Sequence, residues 1–325
     1  MKCSKTKSII FLIIFIIIGL YFGNAAWLAP SNASERQILA HRGLHQTYSP
    51  VGVKIQDCTA TIIESPVHDY LENTLPSIKA AIELGADIVE IDIHPTSDGE
   101  FVVFHDWTLD CRTNGSGVVR HHDLAHLKSL DVGYGYTADG GDTFPFRGQH
   151  VGAMPTLAEV LTTFPETPFL VNIKSADDEE AQLLTDYLQA GQFPNQDRLS
   201  VYGSSNNILL YAELNPDTVT LSKQRVTTCM KKYLLVGWSG YIPKECHNSY
   251  ITVPKNFQWL VWGWPNRFEN RLHKVGSRAL LMGDFKKGNA ISGIDDLESI
   301  PPDFGGLVWT NRIDIVGQKQ RVDEM

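Results

Sequence analysis

No CxxC pair occurs anywhere in these 325 residues, which argues against a zinc ribbon. Positive charge is in short supply. Lys plus Arg total 28 against 37 for Asp plus Glu, and the resulting formal charge of -9 would repel a nucleic-acid backbone, so no nucleic-acid partner is expected. No internal repeat or low-complexity stretch follows the first thirty residues. What remains is ordinary globular usage, 43% hydrophobic and 20% charged, enough to bury a full core and unlike a disordered chain.

Charge is most conspicuously missing between Ser8 and Ser34. Lys2, Lys5 and Lys7 precede this run, and the next charged side chain is Glu35. A helix from Ser8 to Leu28 would reach about 30 Å, one bilayer core. Lysines before the run and none directly after it keep the N-terminus inside and send the remainder outward. Residues 1–30 therefore read as a single-pass transmembrane helix, with a cleaved signal peptide as the competing reading and Asn24-Ala25-Ala26 or Ser31-Asn32-Ala33 as its small-residue sites. On either reading the domain is extracytoplasmic, in the periplasm or outside the cell.

Five cysteines add little. Cys3 precedes the apolar run, and Cys58, Cys111, Cys229 and Cys246 fall in the exported part. Four cysteines allow three pairings, of which Cys229 with Cys246 and Cys58 with Cys111 are preferred; four buried free thiols are the alternative.

Residues 31–325 have the size and rhythm of one α/β barrel domain. Ile38-Leu39-Ala40 reads as a first strand ending at His41-Arg42-Gly43. LENTLPSIKAAIELGAD reads as a helix with Thr74 as cap, Pro76 in its first turn and Gly85 at its end. IVEIDIHP and FVVFHD are strands joined by the turn Ser97-Asp98-Gly99, and residues 107–155 form an insertion over the barrel mouth after this third strand. Alternation resumes with TLAEVLTTF, FLVNIK, a helix from Asp177, LSVYG and TVTLS. Then ITVP, WLVWGW, RALLMG and GGLVWTN compete for two remaining barrel places, so two are excursions and LVWTN closes the barrel.

Strand parity places Glu90 and Asp92 on one face of one strand. Two carboxylates this close are costly unless a cation or proton relieves them, and Mg²⁺ or Ca²⁺ prefers such oxygen ligands. His41 and His105 each end an apolar strand, where barrel side chains converge on the mouth, and two imidazoles there can divide acid and base work. Asn172 and Lys174 share a face of FLVNIK, and Lys174 and Arg42 can neutralise a phosphate oxygen. His94 has the parity of Asp92 but lies past the strand end, a supporting position. Trp238, Trp259, Trp262 and Trp264 are candidates for an apolar rim beside a membrane, with helix packing as the plainer reading.

HRG at 41–43, ENT at 72–74, GAD..E.D.H at 85–94, DG..VV.HD at 98–106 and L..RTNG.G at 109–117 together resemble the signature of the glycerophosphodiester phosphodiesterase family. The likeness runs to about residue 175 and returns at VWTNRID. It implies a TIM-type (β/α)8 barrel that hydrolyses glycerophosphodiesters to glycerol 3-phosphate and an alcohol. His41 and His105 would be the acid-base pair, Glu90, Asp92 and Asn172 the ligands of a divalent cation, Arg42 and Lys174 the phosphate-binding groups, and Glu72 a supporting acid. The family usually has Glu, as in EIK, where this chain has Asn172, which removes one negative charge from the expected site. Rival expectations are a lysophospholipase D-like lipid phosphodiesterase, a phosphoinositide-type phospholipase and a decayed, membrane-anchored binding module. The expected partners are a small-molecule or lipid-derived phosphodiester and the membrane.

Overall fold

The computed structural model describes residues 2–29, 35–54, 57–286 and 292–317. The Ser31-Asn32-Ala33 cleavage candidate lies outside them. Helix α1 (Lys2–Asn24) is followed by β1 (Gln37–Ala40), α2 (Leu75–Glu83), β2 (Ile88–Pro95), β3 (Phe101–Val103), α3 (Leu124–Lys128) and α4 (Leu157–Thr163). Next come β4 (Phe169–Ile173), α5 (Glu179–Gly191), β5 (Leu199–Gly203), α6 (Ser205–Leu214), β6 (Thr220–Ser222) and α7 (Lys223–Val236). The chain then forms β7 (Tyr250–Pro254), α8 (Asn266–His273), β8 (Arg278–Met282) and β9 (Leu307–Thr310).

Eight parallel strands run in the order β6-β5-β4-β2-β1-β9-β8-β7. The circuit is nearly closed between β6 and β7 by the parallel bridge of Thr220 to Ser249, whose Oγ donates to the Thr220 carbonyl at 2.6 Å. The fold is the TIM-type barrel that strand-helix alternation suggested. Parity works throughout: Leu39, Ile88, Leu170, Leu280 and Leu307 pack inside the barrel, while Ile38, Val89, Ile91, Val171 and Val308 face the helices.

One count is corrected. FVV does not take a barrel place; β3 pairs antiparallel with β2, Val103 opposite Ile93, off the circuit. The connection through Ser97-Asp98-Gly99 is short, and a short turn can return a strand only antiparallel, whereas a parallel neighbour needs a crossover. Three of the four late runs are therefore barrel strands (β7, β8 and β9), and WLVWGW alone is an excursion. It forms turns around Gly263, at φ 79°, before α8.

Local signals set the helix ends. Thr74 Oγ1 accepts from Ser77 N at the start of α2, with Pro76 in its first turn. Thr156 and Glu159 form a reciprocal capping box on α4. Residues 107–155 carry a second apolar cluster, in which Leu109, Val119, Leu127, Tyr136 and Phe146 pack with Val102 and Phe104 beside β3. Disulfides join Cys58 to Cys111 and Cys229 to Cys246, the preferred pairs.

Candidate active site

β1 ends in a turn that only a special backbone allows. Arg42 takes φ 58° and Gly43 φ 79°, and a Cβ at Gly43 would meet Ser77 Oγ at 2.4 Å. This turn interlocks with the start of α2: Asn73 N donates to the Arg42 carbonyl at 3.0 Å, and Ser77 Oγ donates to the Leu44 carbonyl at 2.7 Å. His41 and Arg42 are thereby aimed over the carboxyl ends of the strands, the mouth of such a barrel.

Glu90 and Asp92 point inward from β2, both fully buried. Glu90 accepts from Tyr202 Oη at 2.5 Å and from the Arg42 amide at 3.0 Å. Asp92 accepts from Asn172 Nδ2 at 2.7 Å and Asn73 Nδ2 at 3.0 Å, with Lys174 Nζ at 3.3 Å and Arg42 Nε at 3.4 Å as ion pairs. Their environments push them apart. Burial and the neighbouring Asp92 raise Glu90 well above the carboxylate range, while Lys174, His105 and Arg42 overcome burial and hold Asp92 well below it.

His41 and His105 flank this pair with a common arrangement. His41 Nδ1 meets Asn311 Oδ1 at 2.6 Å, so its Nε2 turns inward, 3.9 Å from Glu90 Oε2. His105 Nδ1 meets Asp106 Oδ1 at 2.5 Å. Burial, then Arg42, lowers both imidazoles from their ordinary value, and at His105 the Asp92 charge and the Asp106 hydrogen bond oppose this. Behind them runs an ion-pair chain: Arg42 Nη1 to Glu72 at 3.0 Å, Glu72 to Arg112 Nη1 at 3.2 Å, and Arg112 Nε to Asp106 Oδ2 at 3.0 Å. Arg112 is further held by Tyr136 Oη at 2.9 Å and Thr59 Oγ1 at 2.8 Å.

His41, Arg42, Glu72, Glu90, Asp92, His105, Asn172 and Lys174 thus lie in one constellation. Glu72 touches Arg42 and Arg112 rather than the carboxylate pair. His94 is buried with its ring 5.9 Å from Trp107. The site opens beside Asn172, Lys174, Tyr202 and Ser204 into a cleft of about 270 Å³. Sequence reasoning missed the groups that hold the candidate residues in place: Asn311, Asp106, Arg112, Asn73 and Tyr202. Asp106, Asn73 and Arg112 stood inside the quoted motifs, and Asn311 directly follows β9. Nothing marked Tyr202 except its inward parity on β5.

The donor set suits a hard cation chemically, since Glu90, Asp92 and an Asn172 amide rotated to present Oδ1 would offer oxygen alone. It is a sparse set: among the described residues no three His, Cys, Asp or Glu side chains form a metal-binding group.

Residues 41–236 match the sequence profile of the glycerophosphoryl diester phosphodiesterase family. A glycerophosphodiester phosphodiesterase of Caldanaerobacter subterraneus is 43% identical over 32% of this chain and 39% of its own length. A lysophospholipase D of Mus musculus is 26% identical over 60% of this chain and 65% of its own length, so the matches span less than two thirds of these relatives. An Oleispira antarctica phosphodiesterase, solved in complex with its product sn-glycerol-3-phosphate, superposes with a TM-score of 0.51 at 18% identity, covering 92% of this chain and 99% of its own.

Proposed function

The chain belongs to the glycerophosphoryl diester phosphodiesterase family, and we propose that it hydrolyses a glycerophosphodiester to sn-glycerol 3-phosphate and an alcohol. One observation carries this reading. Two imidazoles, each fixed through Nδ1, turn toward a buried carboxylate pair bordered by Arg42 and Lys174, as phosphodiester cleavage by positioned acid and base requires. The matching activity of the Caldanaerobacter relative and the product bound by the Oleispira structure support it.

The two histidines divide the work according to what stands behind them. Asn311, a neutral amide, fixes the His41 tautomer with Nε2 free, so His41 takes the proton from the attacking water or hydroxyl. Asp106, a carboxylate, stabilises an imidazolium, so His105 gives its proton to the alcohol oxygen as the phosphorus–oxygen bond breaks. Arg42 and Lys174 bind the phosphoryl oxygens, and Glu72 with Arg112 keeps Arg42 and Asp106 in place. Glu90, Asp92 and Asn172 would hold a divalent cation, which when bound polarises the phosphoryl group.

Residues 31–325 act as one barrel unit, with 107–155 as the insertion beside its mouth. Helix α1, apolar from Lys7 to Asn24 and nowhere buried there, serves as a membrane span with the barrel outside the cytoplasm, given the lysines that precede it. Hydrolysis of a lysolipid by the same groups is the second reading, favoured by the Mus musculus relative. Assay of head-group alcohol release, with sn-glycerol 3-phosphate as the co-product from glycerophosphodiesters and acyl-glycerol 3-phosphate from lysolipids, with and without chelator, tests both; no release from any of them would refute the activity.

A further inference from the structure

The last turn of α1 is fastened to the barrel. Arg267, on α8, donates through Nε to the Ala25 carbonyl at 2.8 Å and through Nη2 to the Leu28 carbonyl at 3.2 Å. Arg271, one turn on, donates to Asn24 Oδ1 at 3.1 Å and through Nη1 to the Gly237 carbonyl at 3.0 Å, while Asn24 Nδ2 donates to the Trp238 carbonyl at 3.0 Å. Guanidinium groups set against the end of a helix and the turn that follows it complement the helix dipole. The rest of α1 projects free, exposed from Ile9 to Ile18.

This junction lies at the end of the barrel opposite the site. Helix α7 starts at the carboxyl end of β6 and runs back, so Val236 and the Gly237–Ser239 turn stand toward the amino ends of the strands. Arg278, the first residue of β8, donates to the Glu35 carbonyl at 3.1 Å and to Gln37 Oε1 at 3.0 Å, fastening the chain where it enters β1. His41 and Lys174 directly follow the carboxyl ends of β1 and β4, and His105, two residues past the antiparallel β3, is brought beside Asp92 near the end of β2, where Phe104 N donates to the Asp92 carbonyl at 2.9 Å. Around the junction the surface changes character. Trp27 is 68% exposed, Leu235 75%, Trp238 48% and Tyr241 61%. Lys231 and Lys274 are exposed near the ends of α7 and α8. Amphipathic aromatic rings suit the headgroup level, and cations suit anionic lipid.

We infer that the barrel rests, through the patch of Trp27, Leu235, Trp238 and Tyr241, on the bilayer that α1 spans, with its mouth turned to the aqueous phase. Its substrate is then a water-soluble glycerophosphodiester and not a lysolipid lying in the same leaflet. This rests on α1 as a retained span and, for the substrate class, on the phosphodiesterase reading.

The intact chain is reconstituted in phosphatidylcholine–phosphatidylglycerol vesicles with brominated acyl chains, and quenching of tryptophan fluorescence is measured. Trp238→Phe and Trp27→Phe should each lower the quenchable fraction, and Trp107→Phe, beside the mouth, should not lower it. A quenchable fraction lost in Trp107→Phe, or unmoved in Trp238→Phe, would overturn the orientation. Turnover of glycerophosphocholine should be equal in vesicles and detergent micelles, whereas lysophosphatidylcholine held in the protein's own vesicles should lose most of the turnover it has in micelles. Equal lysolipid turnover in both media would overturn the substrate class. Absence of hydrolysis in every medium would instead remove the phosphodiesterase reading, with the quenching pattern still deciding the orientation.

Discussion

Arg112 stands behind Asp106, its Nε 3.0 Å from Asp106 Oδ2, while the other carboxylate oxygen meets His105 Nδ1 at 2.5 Å. Against the effect of burial, that guanidinium holds the Asp106 carboxyl well below the usual range, so Asp106 stays ionised wherever His105 needs an anion behind it. Arg112→Gln is expected to lower kcat by about 10²-fold through misplacement of His105, with a smaller change in KM. It should also alter the pH profile, because an Asp106 freed from Arg112 titrates at higher pH. Unchanged kcat and an unchanged profile would make Arg112 a packing residue.

The division of labour between the histidines predicts a leaving-group effect. His41→Ala and His105→Ala should each cost about 10²-fold or more on a substrate with an ordinary alcohol. With a p-nitrophenyl leaving group, which departs without a proton, His105→Ala should recover much of its rate and His41→Ala should not. Recovery in His41→Ala instead would exchange the two roles.

The motifs made the barrel and the clustering of the candidate site legible because strand parity is a local property: Glu90 and Asp92 share a face whatever surrounds them. Two kinds of information were not local. β3 looks like any buried strand in composition, and only the short turn at Ser97-Asp98-Gly99 reveals that it folds back off the barrel. Tyr202 and Asn311 lie 112 and 270 residues from the side chains they hold, distances over which one sequence carries no pairing signal. The tryptophans divided in the same way. Trp262 and Trp264 pack against the core, while Trp238 stays exposed beside the end of α1, a difference set by the path of the chain between α7 and β8.

The two disulfides should separate stability from activity. Cys111 precedes Arg112, and its bond to Cys58 spans 53 residues, whereas Cys229–Cys246 spans 17 on the opposite side of the barrel. Replacing either pair by serines should cost about 2–4 kcal/mol in chemical denaturation. Only Cys58→Ser with Cys111→Ser should also lower kcat, because it loosens the segment that carries Arg112. Loss of kcat from the Cys229 and Cys246 replacement would show that the barrel itself had shifted.

Acid should destabilise the protein through His94. Burial, then Lys174, lowers its imidazole to about 3 from an ordinary value of 6.5, so between these limits the unfolded chain binds a proton that the folded one refuses. Its contribution is therefore fully present above pH 6.5 and is lost as the pH falls toward 3, at about 2 kcal/mol between pH 6.5 and 5. Urea denaturation at those two pH values measures it. His94→Gln should flatten the difference, and an equal slope in the variant would assign the acid sensitivity to other groups.

Asn172 donates through Nδ2 to Asp92 Oδ1 at 2.7 Å, where the family pattern puts an acid. As it stands, the amide neutralises no cation and helps to satisfy Asp92 beside Lys174. Were the amide to rotate, a divalent ion would find two carboxylates and one neutral oxygen; Asn172→Glu would supply three carboxylates. Charge count tunes hard-cation sites over several orders of magnitude. Titration calorimetry with Mg²⁺ and with Ca²⁺ should therefore give tighter binding in Asn172→Glu than in the native chain. Activity should saturate at correspondingly lower metal, even if the added charge near Asp92 slows turnover. The calorimetric readout separates ligation from catalysis. Equal affinity in both proteins would place position 172 away from the ion, and native activity indifferent to chelator would leave Arg42 and Lys174 as the only cations acting on the phosphoryl group.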